Sequence, residues 1–303
     1  MGTGGVGGYF GTRLALGGCD VTFIARGAQL AALRQRGLRV LSAVGNMHVE
    51  RVTATDDPRE VGPVDLVLFD VKLWDTEDAA RLIVPMLGAD TAVVSFQNGV
   101  LKDEVLRRLL GDRAVIGGVC YIAATIAEPG VIRHTGAMQR LVFGEHDGVP
   151  FARTTAFLAA CQRAGINAEI SADIRRAIWE KFVFLLAMSG TTSAIGMPIG
   201  AIRARPQTRA LLRDAMREVV AVGRSQGVSL AEDYVDNRLA FCDTLPAAMT
   251  SSMHQDLERG NRLEVDWLSG DVVRRGVATG VATPVSRVLH DVVVLHANGR
   301  AAA

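Results

Sequence analysis

The chain has 303 residues, 49% of them hydrophobic, and a net charge of +1 from 33 Lys+Arg against 32 Asp+Glu. That length favours two domains. Balanced charge without a basic block excludes nucleic acid as an expected partner, and no apolar run is long enough to suggest a membrane span. Cys19, Cys120, Cys161 and Cys242 are scattered, which fits neither a disulfide framework nor a zinc site, so no metal is expected and a reducing cytoplasm is the expected compartment.

The chain opens on Gly2-Thr3-Gly4-Gly5-Val6-Gly7, a G-x-G-x-x-G loop of the kind that joins a first strand to a first helix and cradles a dinucleotide pyrophosphate. No strand precedes it, so the natural chain is expected to begin several residues before Met1. No secretory leader is expected, and Val6 stands where a myristoylation signal needs Ser or Thr.

The periodicity predicts a helix over Tyr9–Leu16, a buried strand over Val21–Ala25, a helix over Gln29–Arg36 stopped by Gly37, and a hairpin turning at Gly45-Asn46. Continuous apolar runs at Val64–Phe69 and Thr91–Phe96, separated by a predicted helix over Thr76–Leu87, imply a parallel sheet covered on both faces. A strand-rich stretch follows from Ala114 to Phe143 with a turn at Glu128-Pro129-Gly130. From about Asp173 the pattern is helical, with breaks at Pro198, Pro206, Gly227, Pro246 and Pro284, and the closing alanines 301–303 are expected to fray.

Arg26 lies 19 positions beyond Gly7, where an NAD-specific domain offers Asp or Glu to the ribose and an arginine suits the 2′-phosphate of NADP. Lys72 is expected to close a strand over Val64–Val71, and Gln97-Asn98-Gly99 a strand over Thr91–Phe96, at the carboxyl ends where such sheets bind ligands. Lys181 precedes the apolar run Phe182–Met188; apolar surroundings disfavour an ammonium and suit a proton donor, whereas a snorkelling lysine is the structural alternative. Glu264 and Asp266 could pair with it or act as solvated helix-face carboxylates. His254, near Ser251 and Ser252, shows no base–nucleophile pattern and is read as structural.

On Gly4-Gly5-Val6-Gly7-Gly8-Tyr9-Phe10-Gly11, Val71-Lys72, Gln97-Asn98-Gly99, Trp179-Glu180-Lys181 and Ser251-Ser252-Met253-His254-Gln255-Asp256, the chain resembles the ketopantoate reductase family (2-dehydropantoate 2-reductases). Arg262, Glu264, Asp266, Gly270, Gly280 and Pro284 continue the match, so the resemblance covers nearly the whole chain. It implies an α/β fold: an N-terminal Rossmann-type doubly wound sheet over residues 1–170, its first strand absent, and an all-helical substrate or dimerisation domain over 171–303, with an NADPH site in the cleft between them. It also implies reduction of a small 2-oxo acid, ketopantoate to pantoate in pantothenate biosynthesis, and leaves room for a homodimer.

Residue by residue, the resemblance makes Lys181 the proton donor to the substrate keto oxygen and Ser252 a substrate contact. It makes Lys72 and Asn98 cofactor- and substrate-side polar contacts and Glu264 the carboxylate that closes the site. Lys181, Glu264 and Asn98 are thus the expected catalytic set. Gly2, Gly4, Gly5, Val6, Gly7, Arg26, Lys72, Asn98 and Glu264 are the expected NADPH contacts. The family's substrate-holding asparagines are replaced by Leu185, Ser189 and Ile199, which points away from ketopantoate itself. The alternatives are a reductase of a more apolar keto acid, a β-hydroxyacid dehydrogenase-type enzyme, a non-catalytic dinucleotide-binding regulator and an S-adenosylmethionine-dependent methyltransferase. Lys181 and Glu264 speak against the regulator and Arg26 against the methyltransferase, whose cofactor has no 2′-phosphate.

Overall fold

Residues 1–300 are described by a computed structural model, and the alanine tail 301–303 lies outside them. Contacts divide the chain into two units, one of Met1–Gln97 with Lys102–Ala177 and one of Asn98–Leu101 with the chain from Ile178 onward.

The first unit starts with helix α1, Gly5–Leu16, which buries Tyr9, Phe10 and Leu14. Strand β1, Thr22–Ile24, and helix α2, Gly27–Arg36, follow, and Gly37 ends α2 at φ +69, a conformation only glycine adopts without strain. The expected hairpin forms between β2, Leu38–Ser42, and β3, Met47–Val49. β4, Thr53–Thr55, then leads to β5, Val64–Phe69. Helix α3 covers Thr76–Leu82, not Thr76–Leu87, and a 3-10 turn takes Val84–Met86. Pro85 accounts for the early stop, because it disfavours helical backbone at the residue before it and lacks an N–H.

Next come β6, Leu87–Ser95, α4, Leu101–Leu110, and the long antiparallel pair of β7, Val115–Glu128, and β8, Val131–Gly144, turning at Pro129-Gly130 as expected. Helix α5, Ala152–Arg163, and strand β9, Asn167–Ile170, carried no expectation from the sequence.

The sheet runs in the order β3-β2-β8-β7-β6-β5, with β9 paired to β8, while β1 and β4 form a separate parallel pair. The expected parallel core holds for β5, β6 and β7, where Val67, Val93 and Val115 align in one buried row. Pairing of β7 with β8 is antiparallel, so the sheet is mixed. Residues 1–3 lie between the two strand sets: the Met1 nitrogen donates to the Leu68 carbonyl at 2.7 Å, and the amides of Gly2 and Thr3 donate to the Ile24 carbonyl at 3.2 and 3.0 Å. Residues 1–3 thus hydrogen-bond to both strand sets without forming a strand of their own.

The second unit is helical. Helix α6, Ile174–Ile195, enters it at Ile178 and buries Trp179, Phe182, Val183 and Leu186. Each such burial contributes about 1.5–3 kcal/mol. α7, Ile199–Ala204, α8, Pro206–Ser225, α9, Tyr234–Thr244, α10, Ser252–Arg259, α11, Ser269–Thr279, and α12, Pro284–Val293, complete it. Pro206 and Pro284 stand in the first turns of α8 and α12, where a missing N–H costs nothing. Among the described residues no helix is long and apolar enough to cross a membrane.

Candidate active site

In the first unit the glycine loop is shaped by two different demands. Gly2 has φ +91, and a Cβ there would lie 2.7 Å from the Asp70 carbonyl carbon; a Cβ on Gly7 would meet the Gly2 oxygen. These glycines are required by the chain's own packing. Gly4, the N-cap of α1, is different, because a Cβ there would meet nothing within 4 Å. A glycine with open space in front of a helix N-terminus leaves room for an approaching phosphate, so the loop fits a dinucleotide pyrophosphate.

The ends of β1 and β5 flank this loop. Arg26 is exposed at the N-cap of α2, and its Nη2 donates to Asp75 Oδ2 at 3.0 Å. β5 stops at Phe69, so Lys72 does not close the strand; it begins the 3-10 turn Leu73–Asp75, with its Nζ 5.5 Å from the Trp74 ring centroid. Gln97 ties the ends of β5 and β6 together. Its Nε2 donates to the Val71 carbonyl at 2.8 Å and to Thr76 Oγ1 at 2.9 Å, while its Oε1 accepts from Ser95 Oγ.

Below the loop, both Asp70 carboxyl oxygens are buried. Burial raises this carboxyl to a pKa of about 7, against the opposing pull of the N-terminal amine, the Phe96 amide and Lys102. Lys102 is itself buried, donating to the Ser95 carbonyl at 2.8 Å and to Asp103 Oδ1 at 2.7 Å. Asp70, Asp75 and Lys102 were not anticipated, because each belongs to a pairing between distant segments and to no local motif.

In the second unit, Lys181 on α6 donates from Nζ to Asn98 Oδ1 at 3.0 Å. Two of the expected catalytic residues are thus brought together. Gly99 has φ +82, and a Cβ there would lie 3.4 Å from the Trp267 carbonyl oxygen and 3.7 Å from the Leu268 side chain. The Asn98-Gly99 turn is therefore packed against the segment that Glu264 opens as N-cap of the 3-10 turn Val265–Trp267. Around Lys181 the helix is fixed by Tyr234, whose hydroxyl donates to the Glu180 carbonyl at 2.7 Å.

Farther along α6, Thr192 meets the loop before α10. Its Oγ1 is 3.0 Å from Ser251 Oγ, and Ser251 caps α10 by accepting from the His254 amide. His254 is buried, with Nδ1 donating to the Thr192 carbonyl at 2.8 Å, a packing role of the kind its sequence setting suggested. Ser252 is exposed in the first turn of α10. Leu185 is half-buried, whereas Ser189 and Ile199 are buried.

An ammonium donor oriented by a side-chain amide on a helix is suited to proton transfer to an oxygen. The profile described as "Ketopantoate reductase PanE/ApbA" matches residues 1–148, and "Ketopantoate reductase PanE/ApbA C terminal" matches residues 173–297. The chain belongs to the ketopantoate reductase family. It is 34% identical to a 2-dehydropantoate 2-reductase of Halobacterium salinarum, over 97% of each chain. It is 30% identical to an uncharacterised oxidoreductase of Bacillus subtilis, over 96% of this chain and 95% of the other.

Among solved structures, a PanE/ApbA family ketopantoate reductase of Ralstonia eutropha superposes with a TM-score of 0.89 at 38% identity, covering 98% of this chain and 96% of that one. A 2-dehydropantoate 2-reductase of Geobacter metallireducens gives 0.91 at 32%, covering 97% and 98%. Family membership makes the protein an oxidoreductase of the ketopantoate reductase class. It also confirms the expected α/β fold with a helical C-terminal half.

Proposed function

We propose that this ketopantoate reductase family member is an NADPH-dependent reductase of a small 2-oxo acid, with residues 1–170 taking the cofactor and 171–303 the substrate. The observation that carries this reading is the Lys181–Asn98 hydrogen bond at 3.0 Å. A bound nicotinamide supplies the hydride. Gly4 and the start of α1 receive the pyrophosphate, and Arg26 pairs with the 2′-phosphate. Asn98 orients the Lys181 ammonium, Lys181 gives its proton to the keto oxygen, Ser252 contacts the substrate, and Glu264 closes the site around it.

The substrate in this proposal is more apolar than ketopantoate. Leu185 and Ile199 stand at positions where the family carries asparagines, and neither side chain can hydrogen-bond a substrate hydroxyl. Leaving one buried hydroxyl unpaired costs roughly 1–3 kcal/mol, enough to reverse a preference. The test is a panel of 2-oxo acids scored for NADPH oxidation, with ketopantoate beside deoxy and branched-chain analogues. Turnover of at least one 2-oxo acid is expected, and no turnover across the panel overturns the assignment.

A further inference from the structure

Arg26 and Asp75 are 49 positions apart in sequence, yet they meet at 3.0 Å beside the glycine loop. Asp75 stands at the N-cap of α3, where an aspartate ordinarily accepts a hydrogen bond from the first turn of its helix. It makes no such cap. Its carboxylate instead engages the guanidinium at the end of β1, the group offered to a 2′-phosphate in the proposed cofactor reading. A carboxylate that occupies an arginine's donors competes with any phosphate that needs the same donors.

We infer that Asp75 is a specificity-determining residue: an internal competitor for Arg26 that weakens NADPH binding and narrows the preference for NADPH over NADH. The inference rests on the proposed use of Arg26 and adds a residue to it. The sign follows from charge, since a phosphate must displace the carboxylate from Arg26, whereas NADH presents only a neutral hydroxyl there. The size follows from exposure. The two side chains are 76% and 35% exposed, and ion pairs so solvated break easily, so the competition amounts to a few-fold effect.

The experiment titrates the purified full chain with NADPH and NADH by calorimetry, as wild type and as Asp75→Asn. The Kd for NADPH is expected to fall about three- to five-fold, while that for NADH stays within about two-fold. In an Arg26→Gln background, Asp75→Asn should change NADPH affinity by less than about two-fold, because the contested donors are gone. An unchanged NADPH/NADH ratio, or weaker NADPH binding because Asp75 usefully orients Arg26, overturns the inference and leaves the cofactor reading standing. Wild-type protein that binds neither dinucleotide overturns both. Asp75→Ser removes the charge and supplies a hydroxyl able to cap α3, and it serves the same comparison if Asp75→Asn folds poorly.

Discussion

Lys181 Nζ and Asn98 Oδ1 lie 3.0 Å apart although 83 positions separate them in sequence. The contact joins a long helix to the turn that follows β6, and the turn is held by a left-handed glycine, Gly99, packed against Trp267. A flexible lysine is thereby given one orientation. An ammonium held in one orientation can be aimed at a single acceptor, the geometry that the proposed proton transfer requires.

On the proposed reading, Lys181→Ala should lower kcat by on the order of 10² or more with NADPH affinity little changed, because that reading makes Lys181 the acid and not a phosphate contact. Steady-state kinetics paired with dinucleotide titration check this. Retained turnover with any accepted substrate would assign the proton donor elsewhere.

If Arg26 takes the 2′-phosphate as proposed, Arg26→Asp should weaken NADPH much more than NADH, since it puts a repelling charge in place of the guanidinium. The ratio of the two Kd values is the readout. Equal losses for both dinucleotides would mean that Arg26 is only a surface residue of α2.

Gly4→Ala and Gly5→Ala should separate binding from folding. A Cβ on Gly4 meets nothing within 4 Å, whereas one on Gly5 would press on the Ala124 carbonyl oxygen. Gly4→Ala is therefore expected to keep its Tm and lose dinucleotide affinity. Gly5→Ala should lose about 1–3 kcal/mol of stability or more, as overpacked sites do. Thermal melts beside titrations distinguish the two, and a Gly4→Ala protein that binds NADPH normally would place the pyrophosphate away from this loop.

Asp70 predicts a pH dependence of stability. Its folded-state pKa is raised by burial from 3.8 to about 7, so the native chain holds a proton that the unfolded chain releases. Below about pH 4 both states are protonated and there is no penalty. Between about pH 4 and 7 the unfolded state binds fewer protons, so stability falls as the pH rises, and above 7 the loss is complete. At about 1.36 kcal/mol per pH unit, the difference approaches about 4 kcal/mol. Asp70→Asn should remove this slope and gain on wild type between pH 5 and 8 in denaturant titrations; parallel curves would show that the carboxyl is already charged at pH 5.

Leu185→Asn should improve kcat/KM for ketopantoate relative to its deoxy and branched-chain analogues, because it restores a hydrogen-bonding group in place of an apolar one. The gain for one recovered hydrogen bond is about 0.5–1.5 kcal/mol, or a few-fold to about ten-fold. If the native chain already prefers ketopantoate by a wide margin, the apolar-substrate reading fails and ordinary family specificity stands.

Local sequence encodes what neighbouring residues decide together. The glycine loop, the β2–β3 hairpin at Gly45-Asn46, the β7–β8 turn and the proline-bounded starts of α8 and α12 were all legible. Turn chemistry, capping and hydrophobic period act within a few residues. Even the overlong reading of α3 failed for a local reason, the proline at position 85.

Which side chains meet across the chain is a property of the packed fold. The Arg26–Asp75 pair, the Gln97 clasp between Val71 and Thr76, the burial of Asp70 and the Lys181–Asn98 bond all join separate segments. No periodicity encodes such partners, because strand order and helix packing bring them together only after the chain has folded. The resemblance read from the sequence points to Lys181 and Asn98 as a functional set. Their 3.0 Å approach depends on how α6 and the turn after β6 pack.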